Sequence, residues 1–176
     1  IASKIGFPVV LKVVSTELAH KSDVGAVMVN LQNEKAVSDA IEKMPADFDH
    51  FLVEEMAGPV VAEIIIGVSR DEAFGLSLLI GAGGILVELL DDTVSLLLPV
   101  QKPEIEDAMR SLKVFNLIDS HRGRERGDFD ATIDAIMAVA QFAVDNNATL
   151  AELDVNPLII QPKGVIAVDA LIRQYE

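Results

Sequence analysis

The feature that most constrains this fold is a series of short aliphatic runs separated by polar turns. Examples are VVLKVV from residue 9, VAEIIIGV from residue 61 and LSLLIG from residue 76. Apolar residues make up 51% of the chain but aromatic residues only 5%, so the core must be aliphatic. Such runs favour strands and are typical of parallel strands that are buried on both faces. A chain of 176 residues can form one domain or two small lobes.

The charge of the chain excludes several classes of partner. Its 28 acidic and 14 basic residues give a formal net charge of −14 at pH 7. Because an acidic surface repels phosphate backbones and anionic membranes, we expect neither nucleic acid nor a membrane as a partner. The chain has no cysteine, which excludes disulfides and thiolate metal sites. We therefore expect a cytoplasmic protein.

Helices and strands alternate irregularly, which favours two α+β lobes over one doubly wound sheet. Before a connector near residue 58, we predict strands over residues 8–14, 26–31 and 51–53. A helix capped by Asn33 and ended by Pro45 separates the last two. The chain opens inside a helix-like segment, so we expect it to be a piece of a longer protein.

The second part of the chain is predicted to be a mixture of strands and two long helices. Strands are expected over residues 61–68, 76–81 and 93–100, with a hairpin-like turn at SRDEAFG. Pro103 can open one helix, and apolar residues at helical spacing predict another over residues 128–146. A β-hairpin around a QPKG turn closes the chain.

Lys12 lies in the middle of an apolar run, where burial is expected. A buried ammonium costs several kcal/mol, as an order of magnitude, unless a partner compensates it. A lysine on an edge strand that extends its amine to water is one explanation, and is slightly favoured by spacing alone. A lysine held rigidly on a strand to contact phosphate is the other.

The HKSDVG loop, residues 20–25, could supply hydrogen-bond donors to phosphate oxygens. His20, Lys21 and Ser22 carry the donors, and Gly25 would allow the backbone to approach closely. The loop is not a Walker A loop, since G-x-x-x-x-G-K-[ST] occurs nowhere in the chain. Taken alone, the loop is more simply a solvated turn.

Carboxylates also stand at strand positions. Glu54 and Glu55 end a strand before Met56, and this segment could be a hinge whose backbone contacts an adenine edge. Glu63 lies inside the next apolar run and needs a partner there. A ribose diol and a basic side chain across the sheet are equally plausible partners on this evidence.

The C-terminal hairpin carries alternating polar residues. Glu152, Asp154 and Asn156 share one face of a strand, and the hairpin can bring Asp169 of the returning strand beside Asn156. Converging oxygen ligands suit Mg²⁺, which keeps waters and substrate phosphates in its shell. A polar face in an acidic protein is the alternative, but Pro157 indicates a fixed strand exit and favours a metal site.

Eight segments in order closely resemble the ATP-grasp domain of NDP-forming acyl-CoA synthetases, which include ADP-forming acetyl-CoA synthetases and are related to succinyl-CoA synthetase. They are IGFPVVLK, HKSDVGAV, LVEEM, AEIIIG, RDEAFG, GAGGILVELLDD, HRG and ELDVNPLII with AVDA. The resemblance covers nearly the whole chain, and eight motifs in the same order are specific where each alone is weak.

The resemblance implies an α+β ATP-grasp fold with a nucleotide cleft between two lobes. These would be residues 1–58, incomplete at the N-terminal end, and residues 59–176. The implied reaction converts acid, CoA and ATP reversibly to acyl-CoA, ADP and phosphate through a phosphohistidine. CoA-binding and phosphohistidine domains would belong to the same protein or to a partner subunit.

Residue by residue, the resemblance implies a site for ATP or ADP with magnesium. Lys12 matches the lysine that contacts phosphate, and Glu63 matches the carboxylate that contacts ribose or supports the site. Asn156 and Asp169 match the Mg²⁺ ligands. Adenine would be held by the strand-end residues Glu54, Glu55 and the backbone at Met56.

His20 would be catalytic, because a loop histidine of the ADP-forming branch is a candidate second phosphate carrier. Simple hydrogen bonding to phosphate is the alternative for His20. Ala26 departs from the family, which usually has a second glycine there, so we expect a less open loop. The HRG segment, residues 121–123, has no assigned role beyond a candidate salt bridge.

Two other functions compete with this interpretation. One is a non-catalytic regulatory domain of a protein lysine acetyltransferase, in which a similar domain senses ligands. Retention of Lys12, His20, Asn156 and Asp169 favours the enzyme, because a sensor need not keep phosphate and metal groups. The other is a carboxylate–amine ligase of the wider ATP-grasp fold, against which HKSDVG argues.

Overall fold

The computed structural model of the chain describes residues 1–14, 25–45, 47–84, 92–119 and 125–175. The chain divides into two compact units, Ile1–Ala57 and Gly58–Glu176, and each has a hydrophobic core of its own. Within the described ranges, no helix combines the length and the apolar character needed to cross a membrane.

The described residues of the first unit form a three-stranded antiparallel sheet and two helices. Strand β1 (Val9–Val13) lies between β2 (Val27–Leu31) and β3 (Phe51–Glu55). Helix α1 (Ala2–Ile5) precedes β1, and α2 (Glu34–Lys43) connects β2 to β3. The three strands and the helix that the sequence predicts in this part are confirmed, with ends that differ by at most two residues.

Helix α2 begins and ends at the residues that sequence reasoning indicates. The side chain of Asn33 accepts a hydrogen bond from the backbone nitrogen of Ala36 at 2.9 Å, and the helix ends before Pro45. Side chains alternate across a strand, so only one face of β1 packs against this helix. The core of the unit is formed by Leu11, Val13, Ala26, Ala40 and Met44.

In the second unit, the described residues form a six-stranded sheet. Five of its strands lie in the order β6 (Thr93–Leu97), β5 (Gly75–Ala82), β4 (Ala62–Asp71), β7 (Leu150–Ile160) and β8 (Val165–Ala167). Strand β9 (Ala170–Gln174) also pairs with β7. The expectation of parallel strands is wrong, because every strand pair in the described residues is antiparallel. Short hairpin connections, such as the turn over residues 72–74, permit only antiparallel neighbours.

Strand β4 is buried on one face only. Its even-numbered residues from Ala62 to Val68 are buried, whereas Glu63, Ile65 and Gly67 are partly exposed. Helices α3 (Lys102–Ser111) and α5 (Phe129–Asp145), both predicted, pack their buried isoleucines and Met109 into the same core as the even-numbered residues. The odd-numbered residues, including Glu63, therefore lie on the face of the sheet that the helices do not cover.

Helix α4 (Phe115–Ile118) is absent from the prediction, because a single turn has no periodic signal and depends on tertiary contacts. The carboxylate of Asp92, which is only 6% exposed, accepts hydrogen bonds from the backbone nitrogens of Lys113 and Val114, both at 2.8 Å. Asp92 thereby satisfies two backbone donors just before this helix.

Asp128 joins helix α5 to the turn between β7 and β8. Its side chain accepts hydrogen bonds from the backbone nitrogens of Ala131 at 3.0 Å and Gly164 at 2.8 Å. Its own backbone nitrogen donates to the carbonyl oxygen of Gln161 at 2.8 Å. The bond from Gly164, followed by that from Ala131, lowers the pKa of the Asp128 carboxyl below its ordinary value. The helix N-terminus thus holds the turn of the C-terminal hairpin in place.

We predict that Asp128→Ala lowers the free energy of unfolding by about 1 kcal/mol at neutral pH, the usual effect of removing an N-cap. The pKa of the Asp128 carboxyl is lower in the folded protein than in the unfolded chain, where an aspartate has a pKa of about 3.9. The carboxylate therefore stabilises the fold fully above the unfolded pKa, and this stabilisation is lost as the pH falls through the folded-state pKa. Urea unfolding at several pH values should show the gap between wild type and variant closing below about pH 4.

Asp128→Asn is the matched control, because asparagine still caps a helix but offers one acceptor oxygen in place of two. It should lose less stability than Asp128→Ala at neutral pH. A gap between wild type and Asp128→Ala that stays constant down to pH 2 would show that the charge of Asp128 contributes nothing to stability.

Candidate functional site

Lys12 lies on the central strand of the first unit, which rules out the edge-strand explanation for its position. It pairs in register with Leu52 of β3 and Val27 of β2, and its side chain is only 12% exposed. Its immediate neighbours Leu11 and Val13 point into the core, so Lys12 belongs to the opposite face of the sheet. The strand therefore fixes the backbone of Lys12 and the face of the sheet from which its side chain extends.

Glu54 is the ionic partner of Lys12. The Lys12 Nζ lies 2.5 Å from Glu54 Oε2, across the β1–β3 pair. That oxygen is buried and makes no hydrogen bond of good geometry within the described residues, so the ionic contact is what compensates its burial. The acid and the base that the sequence places in separate motifs thus form one charged pair on one face of the sheet.

The other hinge residues lie at the end of β3. Glu55 is the last residue of the strand, pairs with Val9 and is exposed. The backbone nitrogen of Met56 donates to the carbonyl oxygen of Pro8 at 3.3 Å, which extends the sheet by one residue. Because this amide is already bonded, a nucleotide contact through the Met56 backbone would use its carbonyl oxygen.

In the second unit, Glu63 lies against the end of β5. The backbone nitrogen of Gly83 donates to the carbonyl oxygen of Glu63 at 2.7 Å. Gly84 has a positive φ of 69°, and a Cβ built there would lie 2.8 Å from Glu63 Oε2. The carboxylate therefore lies directly over the backbone of Gly84, on the face of the sheet away from the helices.

The C-terminal hairpin brings Asn156 and Asp169 together, as its sequence predicts. The backbone nitrogen of Asn156 donates to the carbonyl oxygen of Asp169 at 3.1 Å, and that of Val168 donates to Pro157 at 3.2 Å. Asn156 is exposed and Asp169 is half-buried, so both side chains are accessible. The prediction that Pro157 marks the exit of the strand is wrong, because β7 continues to Ile160. The pairing of β7 with β4 shifts register opposite Ile65, and this irregularity accommodates the proline.

The donor set at this hairpin is one carboxylate and one amide oxygen. Among the described residues no group of three or more histidine, cysteine, aspartate or glutamate side chains could hold a metal. Mg²⁺ is commonly bound through one or two protein oxygens, with waters and substrate phosphates in the other positions. Asn156 and Asp169 therefore fit a magnesium site that a nucleotide completes.

Glu152, on the same strand as Asn156, has an ionic partner on the neighbouring strand. Its Oε2 lies 3.1 Å from Arg173 Nη1 on β9, and both side chains are partly exposed. This ion pair explains a carboxylate on the polar face of β7 without a ligand. Glu152 is thus a natural control for the metal site.

Part of the predicted site falls outside the described residues. His20, Lys21 and Ser22 of the phosphate loop lie there, as does the HRG segment at residues 121–123. Ala26 is described and is fully buried in the core of the first unit, and its carbonyl oxygen accepts from Val13 at 2.9 Å. Its methyl group therefore contributes to packing of the core.

We predict that Glu54→Gln destabilises the first unit by about 1–2 kcal/mol, between the values typical of exposed and buried ion pairs. The loss of stability arises because the largely buried Lys12 ammonium keeps its positive charge, whereas the glutamine at position 54 no longer carries the negative charge that compensates it. Denaturant unfolding monitored by a probe in residues 1–57 measures the effect.

Glu55→Gln is the matched control, one residue away on the same strand and exposed, and it should change stability by less than about 0.5 kcal/mol. In a Lys12→Met background, Glu54→Gln should cost less than in the wild type, since the pair is already broken. Equal effects in both backgrounds would argue against an energetic coupling between Lys12 and Glu54.

Comparison with known proteins supports one family throughout. The sequence profile of a family described as "ATP-grasp domain" matches residues 1–173. Acetate–CoA ligase [ADP-forming] I subunit beta of Pyrococcus furiosus is 32% identical over 178 residues, which cover 96% of this chain and 76% of the relative. Acetate–CoA ligase [ADP-forming] I of Archaeoglobus fulgidus is 36% identical over 177 residues, covering 96% of this chain and 26% of the relative.

A solved structure gives the same result in three dimensions. The dinucleotide-forming acetyl-coenzyme A synthetase 1 of Ca. Korarchaeum cryptofilum, in complex with coenzyme A and Mg-AMPPCP, matches with a TM-score of 0.83 and 39% sequence identity. The match covers 98% of this chain and 79% of that one, and the phosphohistidine segment of that protein points towards its nucleotide-binding site. The present chain spans about a quarter of the length of the single-chain ligases it matches.

Proposed function

This chain belongs to the ATP-grasp domain family, and we propose on that basis that it binds ATP or ADP with Mg²⁺ for an NDP-forming acyl-CoA synthetase. The observation that carries the proposal is agreement over almost the whole chain with an acetyl-coenzyme A synthetase whose structure contains Mg-AMPPCP. The α+β architecture carries the Lys12–Glu54 ion pair on one sheet and the hairpin with Asn156 and Asp169 on the other. These groups supply the cation and the metal ligands that such a module needs.

The proposed reaction joins a carboxylic acid to CoA while ATP becomes ADP and phosphate. Lys12, Asn156 and Asp169 would contribute charge stabilisation and positioning, which are the main contributions of a protein to phosphoryl transfer. Lys12, on β1, would contact phosphate, and Asn156 and Asp169 would hold Mg²⁺. Magnesium supplies neutralisation of phosphate charge when it is bound.

The net charge of −14 explains why both Lys12 and a metal ion are needed to neutralise the phosphates. A polyphosphate approaching an acidic protein needs local cations, and Lys12 is already paired with Glu54. A phosphate group near Lys12 would compete with the Glu54 carboxylate or share the ammonium, which has three donors. Binding of the nucleotide should therefore depend strongly on magnesium.

The partners proposed for this module are a CoA-binding domain and a domain that carries a phosphohistidine. The Pyrococcus furiosus relative is named as a beta subunit, and the Archaeoglobus fulgidus relative is a single chain about four times as long as the matched segment. Both relatives extend beyond the matched region, which supports the proposal that further domains or a further subunit complete the enzyme. The cytoplasm is the proposed location, where acids, CoA and ATP meet.

We predict that Asn156→Ala and Asp169→Ala weaken nucleotide binding at least about tenfold with magnesium present and hardly at all without it, because these oxygens act on the metal. Calorimetric titration of the full-length protein with ADP, with and without Mg²⁺, measures both values. Saturating MgADP should also raise the melting temperature of the wild type, since about 100 times Kd gives roughly 2.7 kcal/mol of stabilisation.

Glu152→Ala is the control, because it removes a carboxylate of the same strand that pairs with Arg173. Its effect should not depend on magnesium. Equal losses of affinity with and without the metal in the Asn156 and Asp169 variants would identify a purely structural hairpin. No binding of MgADP by the folded wild type would refute the proposed function itself.

A second proposal concerns His20, as a carrier of phosphate between the partner's phosphohistidine and ADP. The phosphorus–nitrogen bond of the mobile phosphohistidine would break as one to His20 forms. That bond would then break as the terminal oxygen of ADP takes the phosphoryl group. The neutral form of a histidine side chain can act as the nucleophile.

We predict that His20→Gln in the full-length enzyme reduces phosphoryl exchange between ATP and ADP by more than about 100-fold, as removal of a nucleophile typically does. Glutamine keeps a hydrogen-bond donor, so affinity for MgADP should change by less than about threefold. Ser22→Ala removes a donor from the same loop and should leave exchange largely intact. Exchange by His20→Gln near the wild-type rate would make His20 a binding residue.

A further inference from the structure

The RDEAFG turn between β4 and β5 has no part in the proposed nucleotide site. Arg70 lies seven residues beyond Glu63 on β4, which places the turn about 23 Å along the strand from that carboxylate. The side chain of Asp71 accepts hydrogen bonds from two backbone nitrogens of the turn, at 2.8 and 2.9 Å. Gly75 completes the turn with a positive φ of 84°. This defined turn leaves Phe74 71% exposed.

A pocket of about 200 Å³ lies beside the turn, next to the C-terminal end of helix α5. Most of the residues that line it are apolar: Phe74, Leu76, Leu98, Pro99 and Val144. Within the described part of the chain, Arg70 is the charged residue on its wall, and none of the lining residues carries a carboxylate. The charge of the pocket is therefore opposite in sign to that of the whole chain, which is −14.

Arg70 is held at the pocket by the end of helix α5. Its Nη2 donates to the carbonyl oxygen of Asn147 and, at 2.9 Å, to the side-chain oxygen of the same residue. Basic side chains commonly bind the last carbonyls of a helix, and this contact explains the orientation of the guanidinium. It occupies Nη2 alone, and the Nε and Nη1 donors have no protein acceptor in the ranges that the structure describes. A cation with donors to spare is thus positioned against apolar walls.

We propose that this pocket binds a small organic carboxylate that carries a compact apolar group. The Arg70 donors select an anion, and a carboxylate is a strong acceptor for a guanidinium. Apolar walls disfavour phosphate or sulfate, because the oxygens that face such walls would lose their hydrogen bonds. A carboxylate with an apolar substituent satisfies both parts of the pocket, and the volume admits only a small ligand. The site is separate from the nucleotide site and does not depend on the proposed function.

Two measurements on the full-length protein test the proposal, with phenylacetate as the probe. Ligand-observed NMR titration compares phenylacetate with 2-phenylethanol, which has the same ring but no charge. We expect a Kd of about 1 mM for phenylacetate and at least about tenfold weaker binding of the alcohol, the usual effect of losing a hydrogen bond to a charged group. Crystals soaked in 4-bromophenylacetate then locate the ligand, and the anomalous signal of bromine should appear in the pocket beside Phe74.

Variants of the pocket separate its two parts. Arg70→Gln should weaken phenylacetate binding by about tenfold or more and remove the preference over the alcohol. Phe74→Ser should weaken both compounds, and it keeps the proposal testable if loss of the Asn147 contact destabilises the Arg70 variant. Leu97→Ser is the matched control, because Leu97 is also exposed, at 56%, but does not line the pocket. It should leave the binding of both compounds unchanged.

The results that would overturn the inference differ for the two measurements. In the soaked crystal, the absence of bromine from the pocket would do so. In solution, phenylacetate binding that neither Arg70→Gln nor Phe74→Ser weakens would place the acid elsewhere in the protein. A bromine signal in the pocket without binding in solution that depends on Arg70 or Phe74 would show binding at crystal concentration only, and would equally overturn the inference.

Discussion

The alternation of β4 is the constraint on which the second unit depends. This strand pairs with β5 on one side and β7 on the other, and its even-numbered residues fill the core beneath the helices. A shift of one residue would turn Glu63 into that core and expose the isoleucines. The same alternation that stabilises the unit therefore places a carboxylate on the uncovered face, against Gly84.

The hairpin that carries Asn156 and Asp169 is fixed from both ends. At its turn, Asp128 binds Gly164 and ties the loop to helix α5. Along its length, β7 pairs with β4, so the position of Asn156 follows from the sheet. Metal ligands must be held in place to give Mg²⁺ its octahedral coordination. The attachment of the hairpin to Asp128 and to β4 is therefore the structural basis for the proposed magnesium site.

Paired charge is the common theme of both units. The first unit pairs the Lys12 ammonium with Glu54 of the neighbouring strand, and the second pairs Arg173 with Glu152, on the strand that also carries Asn156. In a chain with a net charge of −14, cations held in place locally, and magnesium brought by the nucleotide, are what allow a polyphosphate to approach. The acidic composition thus makes the proposed function depend on a few positioned groups.

The sequence by itself determined what local patterns encode. Aliphatic runs located the strands, Asn33 and Pro45 bounded α2, and the QPKG turn implied that Asp169 lies beside Asn156. These follow from periodicity, capping and hairpin geometry, which act between near neighbours. Only the tertiary structure decided the order of the strands in each sheet, the pairing of Glu54 with Lys12 and the position of Gly84 against Glu63. Those contacts join residues that are distant in the chain, and no local pattern specifies which strand a given strand will meet.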